Sequence, residues 1–147
     1  MQAQMLAPAA TLVLWSLIML VWVAATRLPP LFKQPGGLGA AKPGGRGQDL
    51  EGVLPDSVQW KSHNYTHLME QPTIFYPVVV IIAMMGANAG DVFIAWTYVA
   101  LRIVHSIWQA TVNKVSIRFA LFSLYTICLV LLAIHAFELT ALHTGGM

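Results

Sequence analysis

Charge is what this sequence has least of. Of its 147 residues only 10% are Asp, Glu, Lys or Arg, against roughly a quarter in an ordinary soluble domain, and that deficit excludes a chain kept in water by a charged surface. Basic clusters are also missing. The formal net charge is only +2 and no Lys/Arg stretch is interleaved with aromatics, which excludes a phosphate-binding face and with it a nucleic-acid partner. The single cysteine, Cys128, lies in an apolar run. It can form neither an internal disulfide nor a cysteine metal cluster, so the sequence is silent about redox compartment. What is abundant is apolar surface: 57% hydrophobic residues and a mean hydropathy of +0.66. Such a chain is not disordered, because disorder needs low hydrophobicity and high charge density.

The gaps between charges read as membrane spans, since about 20 apolar residues at 1.5 Å each cross a hydrocarbon core of roughly 30 Å. Four gaps occur, and they predict helices at about 6–26, 66–88, 91–112 and 115–138. The expected fold is therefore all-α and integral to the membrane, a bundle of four transmembrane helices in one domain over 1–147. The first run reads as a span and not as a cleaved signal. No Lys or Arg precedes it, and it is longer than the apolar core of about 7 to 15 residues that a signal carries.

Orientation follows from the basic residues of short loops. Arg27, Lys33, Lys42, Arg46 and Lys61 fall between helices one and two, and Lys114 and Arg118 between three and four. These loops are expected in the cytoplasm, with both termini on the non-cytoplasmic side. The first loop, about 27–62, is dense in Gly and Pro from Pro35 to Gly47. That density predicts a flexible tether, read as a passive linker in preference to a lid. Asn64-Tyr65-Thr66 matches a glycosylation sequon, but on the expected cytoplasmic side it is accidental.

Polar groups at membrane depth carry the functional signal, because each is costly unless it faces protein or a wet cavity. On the third helix Tyr98, Arg102, His105 and Gln109 fall at i, i+4, i+7 and i+11 and share one stripe. On the second, His63, His67 and Glu70 make another stripe at i, i+4 and i+7, and Arg118 opens the fourth helix. Glu70 and Arg102, opposite charges on adjacent helices, are expected to form a buried ion pair, either as a lock between helices or as part of a ligand site. The i, i+4 histidines have a spacing that suits a metal, but nothing else in the chain clearly supplies further ligands, and no metal is expected. Four helices leave part of each stripe uncovered, which predicts a trimer with Arg118 or Glu70 near a subunit boundary.

The runs His67-Leu68-Met69-Glu70-Gln71-Pro72, Ile74-Phe75-Tyr76-Pro77 and Arg102-Ile103-Val104-His105, followed by Arg118, resemble the MAPEG family, membrane-associated proteins in eicosanoid and glutathione metabolism. The resemblance covers about 63–137 in register. It implies a homotrimer of four-helix subunits in the lipid bilayer, with a cytoplasmic-side site between subunits holding glutathione in a bent shape beside a lipophilic small molecule. It also implies residue roles. Glu70 matches the acidic residue that pairs with a helix-three arginine or the glutathione amine, Arg102 that arginine, and His105 the family histidine of the site. Arg118 matches the arginine that approaches the thiol and is the candidate catalytic residue. His67, Glu70, Arg102, His105 and Gln109 are the candidate glutathione-binding residues.

The chain departs from catalytic members of the family at several positions. His67 stands where many have Asn, His63 where Arg is common, and Gln109 where Tyr is common. Phe119 replaces a Ser that donates to the thiol in some enzymes, and Phe122 replaces an expected Tyr; Phe has no donor. Two functions follow from the resemblance. One is a glutathione-dependent transferase or peroxidase acting on lipophilic substrates. The other is a non-catalytic membrane subunit or lipid- or anion-binding protein of the same fold.

Overall fold

The computed structural model describes residues 1–142. The tail 143–147, part of the expected domain and of the expected non-cytoplasmic C-terminus, lies outside the described residues. Among those described, all regular structure is helical: α1 (Gln2–Phe32), α2 (Asp56–Leu68), α3 (Pro72–Met85), α4 (Ala89–Thr111) and α5 (Val115–Leu142), with 3-10 turns at Gly37–Ala40 and Gly47–Leu50. Three helical stretches are long and apolar enough to cross a membrane: Gln2–Phe32, Asp56–Met85 with α2 and α3 taken together, and Val115–Ala141. Three of the four expected spans meet that criterion; α4 (Ala89–Thr111), the expected third span, does not. In α4, the buried polar stripe displaces apolar residues.

Two helix limits differ from expectation. α1 continues through Arg27 to Phe32, because Arg27 is not a solvated stop. Its guanidinium donates to Ser62 Oγ at 3.1 Å and Gln59 Oε1 at 3.3 Å, and also to the Gly47 carbonyl. α2 starts ten residues before the expected 66, and then the span breaks at 69–71. Pro72 explains the break: it has no N–H to return to the Leu68 carbonyl, so the ladder stops, and its fixed φ suits the first position of α3. Gln71 clamps the break, donating from Nε2 to Thr126 Oγ1 at 2.9 Å and accepting from the Tyr98 hydroxyl at 3.3 Å.

The α3–α4 turn is closed by a reciprocal cap. Asn88 Oδ1 accepts from the amides of Gly90 and Asp91 at 2.7 and 3.1 Å, while Asp91 Oδ2 accepts from the Asn88 amide at 2.9 Å. The other Asp91 oxygen accepts from His135 Nδ1 at 2.7 Å, which ties the turn to α5. Below it, the core centres on aromatic rings. Phe75 stacks on Tyr98 with centroids 4.2 Å apart, and Tyr98 meets Tyr125 edge-on at 5.7 Å. Each such pair is worth about 0.5–1.5 kcal/mol beyond the area it buries.

The 33–55 segment, within the tether expected over 27–62, is drawn against α1 and α2 by specific contacts. Besides the Arg27 contacts, Gln59 Nε2 donates to the Leu50 carbonyl at 2.5 Å, the Arg46 amide to Asp49 Oδ2 at 2.7 Å, and Leu54 is buried. Gly36 and Gly44 take φ of 83° and 78°, backbone open to glycine at no steric cost. The segment is a folded strap lying against α1 and α2.

Candidate functional site

The α4 stripe faces inward, with Tyr98, Arg102, His105 and Gln109 all buried. Arg102 is 0% exposed. Its guanidinium donates from Nη1 to His105 Nδ1 at 2.8 Å and from Nη2 to His67 Nδ1 at 2.9 Å. A guanidinium has donors only, so both Nδ1 atoms must accept. Each ring is therefore neutral, with its proton on Nε2. The Tyr125 ring lies against the same cation, 5.4 Å from Cζ, and its hydroxyl is 3.3 Å from His105 Nδ1. Arg102 Nε has no hydrogen-bond partner.

The expected Glu70–Arg102 ion pair is not formed. Glu70 sits in the break between α2 and α3, which turns its side chain outward to 61% exposure, with the neutral His67 ring beside it, Nε2 at 3.8 Å. The His67 ring lies between the two residues, touching both. His63 shares a cavity wall with His67 and Glu70, but its ring meets Glu51 of the strap at 2.9 Å. With His63 and His67 directed to different partners, they do not converge on one point. Among the described residues no group of three His, Cys, Asp or Glu side chains is placed to hold a metal ion.

Two cavities flank His67. The first, about 250 Å³, is walled by Gln59, Ser62, His63, Thr66, His67, Glu70 and Gln109, with Gly47, Gln48 and Glu51 of the strap closing one side. Its character is acidic and hydrogen-bonding, and Gln109 brings a buried Oε1 that has no donor. The second, about 130 Å³, is lined by His67, His105, Val115, Arg118, Phe119 and Phe122. It is basic on one wall and apolar on the others. Arg118 is set by the α4–α5 turn: Asn113, at a left-handed φ of 56°, accepts from Arg118 Nη1 at 2.6 Å.

The sequence profile of the MAPEG family matches residues 5–137, nearly the whole chain. The chain belongs to the MAPEG family. Neither a curated protein nor a solved structure matches it. With its three long apolar helices, this MAPEG chain is an integral membrane protein.

Within the MAPEG chain the candidate residues divide between the cavities. Glu70 and Gln109 line the first, His105 and Arg118 the second, and His67 both, while Arg102 lies behind the two histidines and lines neither. Chemically, the first cavity suits a ligand part rich in donors, such as an ammonium. The second presents a cation to an anionic or thiolate group beside an apolar wall.

Sequence reasoning missed several participants. Gln59, Ser62 and Thr66 continue the His63–His67–Glu70 stripe at i, i+3, i+7, with Glu70 at i+11, and a longer window on α2 contains that signal. Tyr125 lies at i+7 from Arg118 and was equally visible. Strap residues Gly47, Gln48 and Glu51 carried no signal, because their role depends on how the loop folds back. The sequon residue Asn64 is fully buried, donating from Nδ2 to Ser106 Oγ at 2.7 Å, and Trp15 Nε1 donates to the same oxygen at 3.1 Å. That cluster joins α1, α2 and α4.

Proposed function

We propose that this MAPEG chain is a glutathione-dependent transferase or peroxidase acting on lipophilic substrates drawn from the bilayer, with four membrane-crossing elements per subunit and a homotrimeric assembly. One observation carries the reading: an acidic cavity and a cationic, apolar-walled cavity share the His67 ring as their common wall. Glutathione bears an ammonium, two carboxylates and a thiol, and this pair of environments complements both ends of it.

In this reading Glu70 and the Gln109 carbonyl receive the ammonium end. Arg118 faces the thiol end and stabilises the thiolate, since a thiolate at neutral pH needs a nearby cation. Glutathione supplies the nucleophilic sulfur. Its proton goes to solvent, the sulfur–carbon bond forms as the electrophile's leaving group departs, and Phe119 and Phe122 hold the lipophilic partner. Arg102 acts from behind as a positioning residue, because its two bonds fix the rings of His67 and His105.

The donor-poor wall favours a second reading, a non-catalytic binding protein of the same fold. Neither Phe119 nor Phe122 offers a hydrogen bond to sulfur, and Phe119 is 68% exposed. Calorimetric titration of the purified chain with glutathione separates them. Saturable heat together with turnover of a lipophilic electrophile supports the enzyme. Heat without turnover selects a non-catalytic binding protein, and no heat at millimolar glutathione overturns the enzyme and leaves the non-catalytic subunit or lipid- or anion-binding protein. Native mass spectrometry in mild detergent tests the trimer, and monomers alone would overturn it.

A further inference from the structure

A third cavity lies away from His67. About 660 Å³ in volume, it is a half-open cleft between the end of α1 and the strap. Leu31, Leu38, Ala41 and Leu50 form its apolar side, and Lys42 and Arg46 its basic side. Asp49 also lines it, with Oδ2 already engaged by the Arg46 amide. Among the described residues, Lys33, Lys42 and Arg46 have no carboxylate within ion-pair distance. Arg27, by contrast, is consumed by Gly47, Gln59 and Ser62.

The depth of this cavity follows from α1. The long apolar run of that helix ends at Arg27, and Trp22 near its end packs under Lys61 Nζ at 5.3 Å, an aromatic–basic pairing expected at a membrane boundary. Leu31 lies four residues beyond Arg27, about 6 Å along the axis. The polar layer on each side of a bilayer is roughly 5–7 Å deep. The mouth of the cavity therefore sits at headgroup level. Around it Phe32 and Leu38 are 60% and 51% exposed, which favours contact with the glycerol and upper acyl region over water.

We propose that this cavity binds the head group of an anionic phospholipid, with Lys42 and Arg46 taking the phosphate and Leu31, Leu38 and Leu50 packing against the glycerol end. Charge complementarity selects an anionic lipid over a zwitterionic one. The apolar half selects a lipid over free phosphate. Occupancy would pin the strap, whose Gly47 also borders the acidic cavity, to the membrane surface.

The test is native mass spectrometry of the full chain released from micelles doped with either phosphatidylglycerol or phosphatidylcholine. Wild-type protein is expected to retain phosphatidylglycerol in preference. The double variant Lys42→Gln, Arg46→Gln, altered only at exposed side chains, is expected to lose that preference by about 25-fold, since each near-surface cation is worth roughly fivefold in lipid attraction. Lys114→Gln, outside the cavity, should lower retention by no more than the roughly fivefold of a single near-surface cation. Equal retention of the two lipids by wild type, or undiminished phosphatidylglycerol retention by the double variant, overturns the proposal. Displacement of the lipid by millimolar inorganic phosphate would also overturn it, by showing a site for the free anion.

Discussion

Arg102 on α4 reaches His67 on α2 through a 2.9 Å bond from Nη2 to Nδ1, and no carboxylate lies within ion-pair distance of this buried guanidinium among the described residues. A buried cation held by neutral rings costs desolvation that no opposite charge offsets locally. What it supplies is orientation. Two imidazoles from different helices are held with their Nε2–H edges facing away from the arginine.

The first prediction separates that arrangement from an ion pair. Arg102→Ala removes the donors of one buried acceptor, on His105, and one partly buried acceptor, on His67. Each costs up to about 1–3 kcal/mol when left unsatisfied, so unfolding in detergent should weaken by roughly 2–5 kcal/mol, His67 counting for less because it is partly exposed. Glu70→Gln, at an outward-facing side chain, should change stability by no more than about 0.5 kcal/mol. Thermal unfolding followed by near-ultraviolet circular dichroism measures both. A loss from Glu70→Gln as large as that from Arg102→Ala would restore the ion pair.

Histidine tautomers give a second check. Because Arg102 can only donate, His67 and His105 should both carry the proton on Nε2 and leave Nδ1 bare. Two-bond proton–nitrogen spectra of selectively labelled histidine report this directly. A bare Nε2 on either ring would break the arrangement.

Arg118 and Phe119 test the proposed chemistry. If glutathione binds, Arg118→Leu should lose a charge-assisted contact worth about 1.5–3 kcal/mol and weaken affinity roughly 10- to 100-fold in calorimetry. Phe119→Ser adds the missing donor beside Arg118 and should raise transfer to a lipophilic electrophile, with little effect on glutathione affinity. Unchanged affinity in Arg118→Leu removes this arginine from the site.

The strap yields a fourth prediction. Arg27 holds Gly47, Gln59 and Ser62 together, so Arg27→Gln should free the segment and speed tryptic cleavage after Arg46 about tenfold, the effect of roughly 1.4 kcal/mol on a local opening. Cleavage at the wild-type rate would mean that the strap is held by other contacts.

Much of the helical plan was legible because long apolar runs and a 3.6-residue polar stripe are local signals. Tyr98, Arg102, His105 and Gln109 share the buried face that their spacing implies. The polar first half of the second span was not legible. α2 buries Gln59 and Asn64 beside Leu68, and polar residues satisfied inside the fold look like loop residues in one dimension. Arg27 misled in the same way, since a charge held by a neighbouring segment is indistinguishable in sequence from one held by water. The Glu70–Arg102 pairing failed for a geometric reason: Glu70 keeps its i, i+3 contact with His67 at 3.8 Å, but at the break before Pro72 its side chain turns outward, away from α4.

The His67 ring stands between the acidic and the cationic cavity as a shared partition. A change at position 67 therefore cannot retune one compartment alone. Trimming the ring opens a passage and merges the two into one chamber, while the Arg102 anchor behind it loses its acceptor. A heritable shift in ligand preference through this position would alter what both ends of a ligand encounter in a single step, whereas Phe119 or Glu70 can vary independently on either side.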